Sequence, residues 1–284
     1  MTTSITIVFS GALGDTVLLK PLIDVVAIQF ASRRITLVAQ PSFGRLFKHL
    51  GWIYRHFDIG LYNHHQWFAG NTAARQTPWS DCDVLISGVS TGHDIWAHHA
   101  SRLSTARKLL FFDPLPNPAD PTHVAIQRCR SIGVPPAIRT YGDPQHCPIA
   151  WQPQPEPDMR PLFIHPGSGS RNKCWPLENF AAVAKCLRAR GRRAEFILGP
   201  VEMERFSARG IDDIARNFTS HIIADLSNLA DLLVTGSGYL GNDSGVTHLA
   251  GALGVPTGAI FICSNPNLWR PIGPRVKVLR RWGP

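Results

Sequence analysis

Two doubly wound α/β lobes facing a central cleft are the fold that this 284-residue chain predicts. Three observations predict it. Short apolar runs alternate with helical stretches in both halves, as a parallel sheet with crossover helices requires. The alternation is interrupted once, over residues 144–161, where Pro148, Pro153, Pro155 and Pro157 give the composition of an interdomain linker. In each half, glycine-bearing polar turns follow the apolar runs, at the strand ends where such sheets bind ligands. The domains are accordingly placed at 1–150 and 151–284.

The elements follow in order. Residues 5–9 are continuously apolar and predict a buried strand. The turn Ser10-Gly11-Ala12-Leu13-Gly14-Asp15 hands over to a long apolar helix across 16–30. A strand over 35–39, a helix over 42–50 and a buried strand over 84–87 come next. Residues 114–121 hold too much proline for either element and read as a loop, and 123–133 fit a helix. Beyond the linker, strands at 161–165, 194–198, 221–224, 238–242 and 257–262 interleave with helices at 177–190, 201–209, 226–234 and 246–253.

Composition narrows the class. With 44% hydrophobic and 17% charged residues the chain is globular rather than disordered. Its N-terminus lacks the basic start of a signal peptide, and Asp15, Lys20 and Asp24 interrupt the apolar stretch, so a cytoplasmic location is expected. No run has the apolar length of a membrane span. The six cysteines are scattered without a C-x-x-C pair, which speaks against a disulfide framework or structural zinc. The net charge of +9 calls for anionic partners. Lys and Arg outnumber Asp and Glu by 13 to 11 over 1–158 and by 16 to 9 over 159–284, so the surplus lies in the second half. No nucleic-acid-binding motif accompanies it. A phosphate-bearing small molecule, or peripheral contact with an anionic membrane surface, is the simpler partner.

Three turns carry the candidate chemistry. In the first, Gly14 lets backbone approach a ligand, and Asp15 at the helix start is either an N-cap or a carboxylate placed to take a proton from a hydroxyl. In the second, His165-Pro166-Gly167-Ser168-Gly169-Ser170-Arg171-Asn172-Lys173, the backbone donors of Gly167 and Gly169, the Ser168 hydroxyl and a mobile Lys173 ammonium suit a diphosphate. The Walker A spacing is absent. Glu202, in Gly199-Pro200-Val201-Glu202, reads as an exposed helix-start residue or as an acceptor of ribose hydroxyls. In the third, Asp243 and Ser244 are N-cap residues and Gly245 removes a Cβ. His248 follows one turn later and faces back, so the helix N-terminus offers a phosphate seat. His64-His65 and His98-His99 are adjacent pairs without metal-ligand spacing, so no metal site is expected.

These motifs in this order resemble glycosyltransferase family 9, the ADP-heptose:lipopolysaccharide heptosyltransferase family. They are Ser-x-x-Leu-Gly-Asp at 10–15, His-Pro-Gly…Lys-x-Trp-Pro at 165–176, Gly-Pro-x-Glu at 199–202 and Asn-Asp-Ser-Gly-x-x-His-Leu-Ala-x-Ala-Leu-Gly-x-Pro at 242–256. The resemblance implies a GT-B fold of two Rossmann-like lobes. It implies inverting transfer without a metal or other cofactor, with a nucleotide-sugar donor held by the C-terminal lobe and a glycan or lipid-linked glycan as acceptor. By motif, Asp15 is then the general base and Lys173 neutralises the donor diphosphate. Glu202 binds the nucleoside sugar, and Asp243, Ser244, Gly245 and His248 form the phosphate-binding turn. Two rivals are a nucleotide-sugar epimerase or hydrolase and a catalytically silent nucleotide-sugar-binding protein. A nicotinamide oxidoreductase is further away, because the first turn lacks G-x-G-x-x-G.

Overall fold

A computed structural model of the chain describes residues 2–61, 64–69, 76–134 and 159–280. The chain divides into two compact units, Met1–Ile138 and Arg139–Pro284. The expected domain boundary and most of the proline-dense stretch lie outside the described residues.

The first unit runs β1 (Ile5–Val8), α1 (Leu13–Val17), α2 (Lys20–Gln29), β2 (Ile35–Ala39), α3 (Pro41–His49), β3 (Arg55–Asp58), β4 (Val84–Ser87), α4 (Ile95–Leu103), β5 (Lys108–Phe111) and α5 (Val124–Ser131). Its sheet has the order β3-β2-β1-β4-β5, with every pairing parallel. The central strands are buried along their whole length, as strands covered on both faces must be. Three tryptophans, Trp67, Trp79 and Trp96, pack with Val8, Val38 and Leu85 in its core.

The helix expected across 16–30 is two helices, α1 and α2. Pro21 has no N–H for the carbonyl of Val17, and its ring crowds that carbonyl, so the chain breaks between them. Strands β3 and β5 escape the sequence pattern because they are short sheet edges that begin on Arg55 and Lys108. Helix α4 has its own start signal in Asp94, whose Oδ1 accepts from the Ala97 N–H at 3.0 Å.

The second unit runs β6 (Leu162–His165), α6 (Leu177–Ala189), β7 (Ala194–Leu198), α7 (Pro200–Arg205), α8 (Ala208–Asn217), β8 (Ser220–Ile222), α9 (Leu226–Leu233), β9 (Gly238–Asn242), α10 (Gly245–Ala252), β10 (Thr257–Phe261), α11 (Pro266–Trp269) and β11 (Val276–Arg280). The sheet order is β11-β10-β9-β6-β7-β8, again parallel throughout. Ile164, Phe180, Phe196, Phe218 and Ile260 fill the core between the sheet and α6 and α8.

The helix expected over 201–209 is likewise two. Phe206 is extended, and Ser207 caps α8 by accepting from the Gly210 N–H at 3.1 Å. Strand β11, beyond the last element expected, pairs with β10 from Val276 to Arg280. Among the described residues no helix is long and apolar enough to cross a membrane.

Candidate functional site

Strand order decides which turns meet. In the second unit β6 lies between β9 and β7, and the winding reverses between β6 and β9. Ligands of open α/β sheets bind at that reversal, beyond the strand C-terminal ends. The loops after β6, β7 and β9 are therefore neighbours, although 199–202 and 242–248 stand far from 166–173 in sequence.

The loop after β6 is fastened to the turn after β9. The Asn242 amide donates to the Pro166 carbonyl at 2.7 Å and accepts from the Trp175 N–H at 2.9 Å. The Ser168 hydroxyl donates to the Asp243 carbonyl at 2.7 Å. Lys173 Nζ stands 2.8 Å from Asp243 Oδ2, and the Ser264 hydroxyl donates to the same oxygen at 2.5 Å. His248 Nε2 faces the other oxygen, Oδ1, at 3.5 Å. Burial alone would push the Asp243 carboxyl up. His248, Lys173 and Ser264 overcome that and hold it well below the usual carboxylate range. It is a buried anion at neutral pH.

Two sequence expectations are corrected here. Lys173 is not a free mobile ammonium, because Asp243 pins it. Asp243 is not the cap of α10. Ser244 is, its Oγ accepting from the Thr247 N–H at 3.4 Å. The Gly245 and Val246 N–H groups, as the first two of the helix, have no intrahelical acceptor and point out of its positive end. Thr247 Oγ1 locks the turn by donating to the Asn242 carbonyl at 2.5 Å.

Glu202 is not an exposed helix-start residue either. It is 4% exposed. Its Oε2 accepts from the Gly199 N–H at 2.7 Å and stands 3.5 Å from His165 Nε2 at the end of β6. Burial raises its carboxyl, but the hydrogen bond and charge of His165 and the Gly199 N–H lower it more. Gly167 serves this carboxylate, since a Cβ there would stand 1.6 Å from Glu202 Oε1. Gly169, by contrast, is exposed with open space around it. In both His165 and His248, Nε2 faces a carboxylate while the buried Nδ1 has no hydrogen-bond partner.

Gly14 and Asp15 lie in the first unit, inside α1. The N-cap position belongs to Ala12, so Asp15 does not cap the helix but stands in its first turn. Its side chain is 29% exposed. Among the described residues no group of three His, Cys, Asp or Glu side chains is placed to hold a metal ion.

Comparison with known proteins sets this geometry in a family. The family model "Glycosyltransferase family 9 (heptosyltransferase)" matches residues 150–282, which carry the β6, β7 and β9 turns. The second unit matches glycosyltransferase family 9, and the chain is a glycosyltransferase. A search of curated protein sequences returned no match.

Solved structures extend the likeness of this glycosyltransferase to the whole chain. Escherichia coli heptosyltransferase WaaC with ADP is 19% identical at a TM-score of 0.69, covering 98% of this chain and 93% of its own. The family 9 glycosyl transferase of Veillonella parvula is 18% identical at 0.70, covering 100% and 88%. Escherichia coli ADP-heptose lps heptosyltransferase II is 13% identical at 0.69, covering 97% and 90%. At such identities the likeness establishes the fold, two Rossmann-like parallel sheets of GT-B type.

Nothing in the sequence assigns a role to His165, which opens the second turn, or to Ser264, the partners of Glu202 and Asp243, because no spacing links them to those carboxylates. Sequence reasoning also passed over Arg128, which did have a signal. Val124, Ala125, Arg128 and Cys129 form the buried stripe of α5, so an arginine stands among apolar positions.

Proposed function

We propose that this family 9 glycosyltransferase moves a heptose, or a related sugar, from an ADP-sugar to a hydroxyl of a lipopolysaccharide-core or other glycan, with inversion and without a metal. The observation that carries the proposal is the Lys173–Asp243 pair, 2.8 Å apart at the head of α10, inside a family 9 unit. The solved relatives named for ADP and for ADP-2-deoxy-2-fluoro heptose support the choice of donor.

In this reading the diphosphate sits at the N-terminus of α10, against the Gly245 and Val246 N–H groups, and draws on the Lys173 ammonium. Asp243 carries the same charge sign as a phosphate. Its role is to hold Lys173, His248 and Ser264 in place rather than to touch the ligand. Glu202, His165 and Gly167 build the neighbouring wall, where the nucleoside ribose is expected. Asp15 takes the proton of the acceptor hydroxyl as its oxygen attacks the anomeric carbon from the face opposite the diphosphate. The bond from that carbon to the diphosphate oxygen breaks, and the charge gathering on ADP is met by Lys173 and the helix dipole, which are in position before the reaction begins.

The test is transfer from ADP-heptose to heptose-free lipopolysaccharide core, following ADP release and glycan mass with and without EDTA. Equal amounts of ADP and glycosylated product, unaffected by EDTA, are expected. Free heptose without glycosylated product makes the protein a hydrolase. Activity lost to EDTA and restored by magnesium or manganese overturns the metal-free mechanism.

A further inference from the structure

Arg128 is the one large charged side chain among the most deeply buried described residues, at 1% exposure. The buried stripe of α5 carries it inward until its guanidinium lies over the rings of Phe9 and Phe112, 4.9 and 5.7 Å from their centroids. Those rings stand at the ends of β1 and β5. Gly11 and Gly88 leave room for them, since a Cβ at either would come within 2.4 Å of ring carbons.

The hydrogen bonds of this buried cation go to backbone. Nη1 donates to the Asp15 carbonyl at 2.8 Å and Nη2 donates to the Pro114 carbonyl at 3.1 Å. Nη2 also stands 3.8 Å from Asp15 Oδ1, while Nε has no partner. Burial pulls its pKa down to about 10, against the opposing pull of Asp15 and Cys129, so the group is charged at neutral pH. Desolvating a full charge is costly, and a core that needed only filling would be served by Leu or Met. The planar fork holds two carbonyls in different segments at once, each on its own nitrogen in a fixed geometry, which Leu and Met cannot do at all and the single nitrogen of Lys does not reproduce.

We propose that Arg128 is the positioning residue for Asp15, fixing the first turn of α1 against the Pro114 loop so that the carboxylate is aimed at the acceptor hydroxyl. This rests on the reading of Asp15 as the general base. Arg128 touches no substrate in this scheme and acts only through Asp15. Misplacing a reacting group by about 1 Å costs on the order of 100-fold in rate, and Arg128→Lys, which keeps the charge but loses the fork, is expected to misplace it.

The experiment is a double-mutant cycle on the full chain, with Arg128→Lys, Asp15→Asn and the pair. It measures kcat and KM for ADP-heptose and heptose-free lipopolysaccharide core, ADP affinity by calorimetry, and Tm. Arg128→Lys is expected to lower kcat by roughly 10- to 100-fold with ADP affinity unchanged. In the Asp15→Asn background the same change is expected to cost less than about 3-fold, because the group it aims is already disabled. Millimolar guanidinium is expected to restore part of the kcat of Arg128→Ala. Equal rate losses in the two backgrounds, or a lowered Tm with kcat unchanged, overturn the positioning role while leaving the base in place. Wild-type turnover in Asp15→Asn removes the base itself, and the proposal with it. If Arg128→Lys does not fold, guanidinium rescue of Arg128→Ala decides, and absence of rescue counts against the role.

Discussion

Gly167 and Glu202 compete for one space. The carboxylate of Glu202 lies where a side chain on residue 167 would begin, with Oε1 1.6 Å from the position of a Cβ. The glycine of the β6 turn is therefore required by a buried carboxylate from the β7 turn. Gly167→Ala is expected to displace Glu202 from His165 and the Gly199 N–H and to destabilise the fold by about 1–3 kcal/mol, the usual range for overpacking. Thermal unfolding checks it, and a wild-type midpoint would show that the carboxylate moves aside at no cost.

Asp15→Asn separates chemistry from structure. Because Ala12 and not Asp15 occupies the N-cap of α1, the change removes no cap; it does remove the carboxylate 3.8 Å from the buried Arg128, so a loss of stability of no more than about 1 kcal/mol is expected. Turnover is expected to fall on the order of 100-fold or more while ADP affinity holds. Transfer kinetics beside calorimetry read both quantities. Undiminished turnover would end the general-base role.

Lys173→Ala takes the ammonium from the diphosphate in ground and transition states alike, so ADP affinity and kcat are expected to fall together. It also leaves Asp243 without its nearest cation. Asp243→Asn is expected to weaken ADP binding too, by releasing Lys173 from its place, although it removes a negative charge from an anion site. Tighter ADP binding by Asp243→Asn would show that the carboxylate acts by repulsion rather than by placement.

The two buried carboxylates set an acid limit. Asp243 and Glu202 are held below their ordinary values. Their contribution to stability is therefore complete above the unfolded-state values, about 3.9 and 4.3, and is lost as pH falls through the folded-state ones. The midpoint gap between wild type and the Asp243→Asn, Glu202→Gln double variant is expected to be widest near neutral pH and to close below about pH 4. Melting curves across that range test it. A gap that stays constant would mean that the carboxylates stabilise by shape alone.

The part of this protein legible in its sequence is the part governed by local rules. Buried central strands read as unbroken apolar runs, glycine and proline mark their turns, and the small-residue helix after Asn242 announces its start with two candidate caps, Asp243 and Ser244. The ordered motifs pointed to the family before any tertiary contact was known. Edge strands β3, β5 and β11 were not legible, because a strand exposed on one side carries charges that blur the apolar pattern. The breaks at Pro21 and Phe206 were missed although proline and Ser207 signalled both.

Only the tertiary structure decided which charges meet. Sequence alone determined that Lys173, Glu202 and Asp243 each stand in a polar turn after an apolar run. It left Lys173 mobile, and it left open whether Glu202 is exposed and whether Asp15 caps a helix; the structure pairs the lysine with Asp243, buries the glutamate and gives the cap position to Ala12. The order β9-β6-β7 brings residue 173 beside 243 and residue 165 beside 202, and the packing of α5 carries Arg128 to Asp15. The physical reason is range. Turn and helix signals act over a few residues, whereas pairing of buried charges acts through desolvation and contact, which exist only once the sheet has formed.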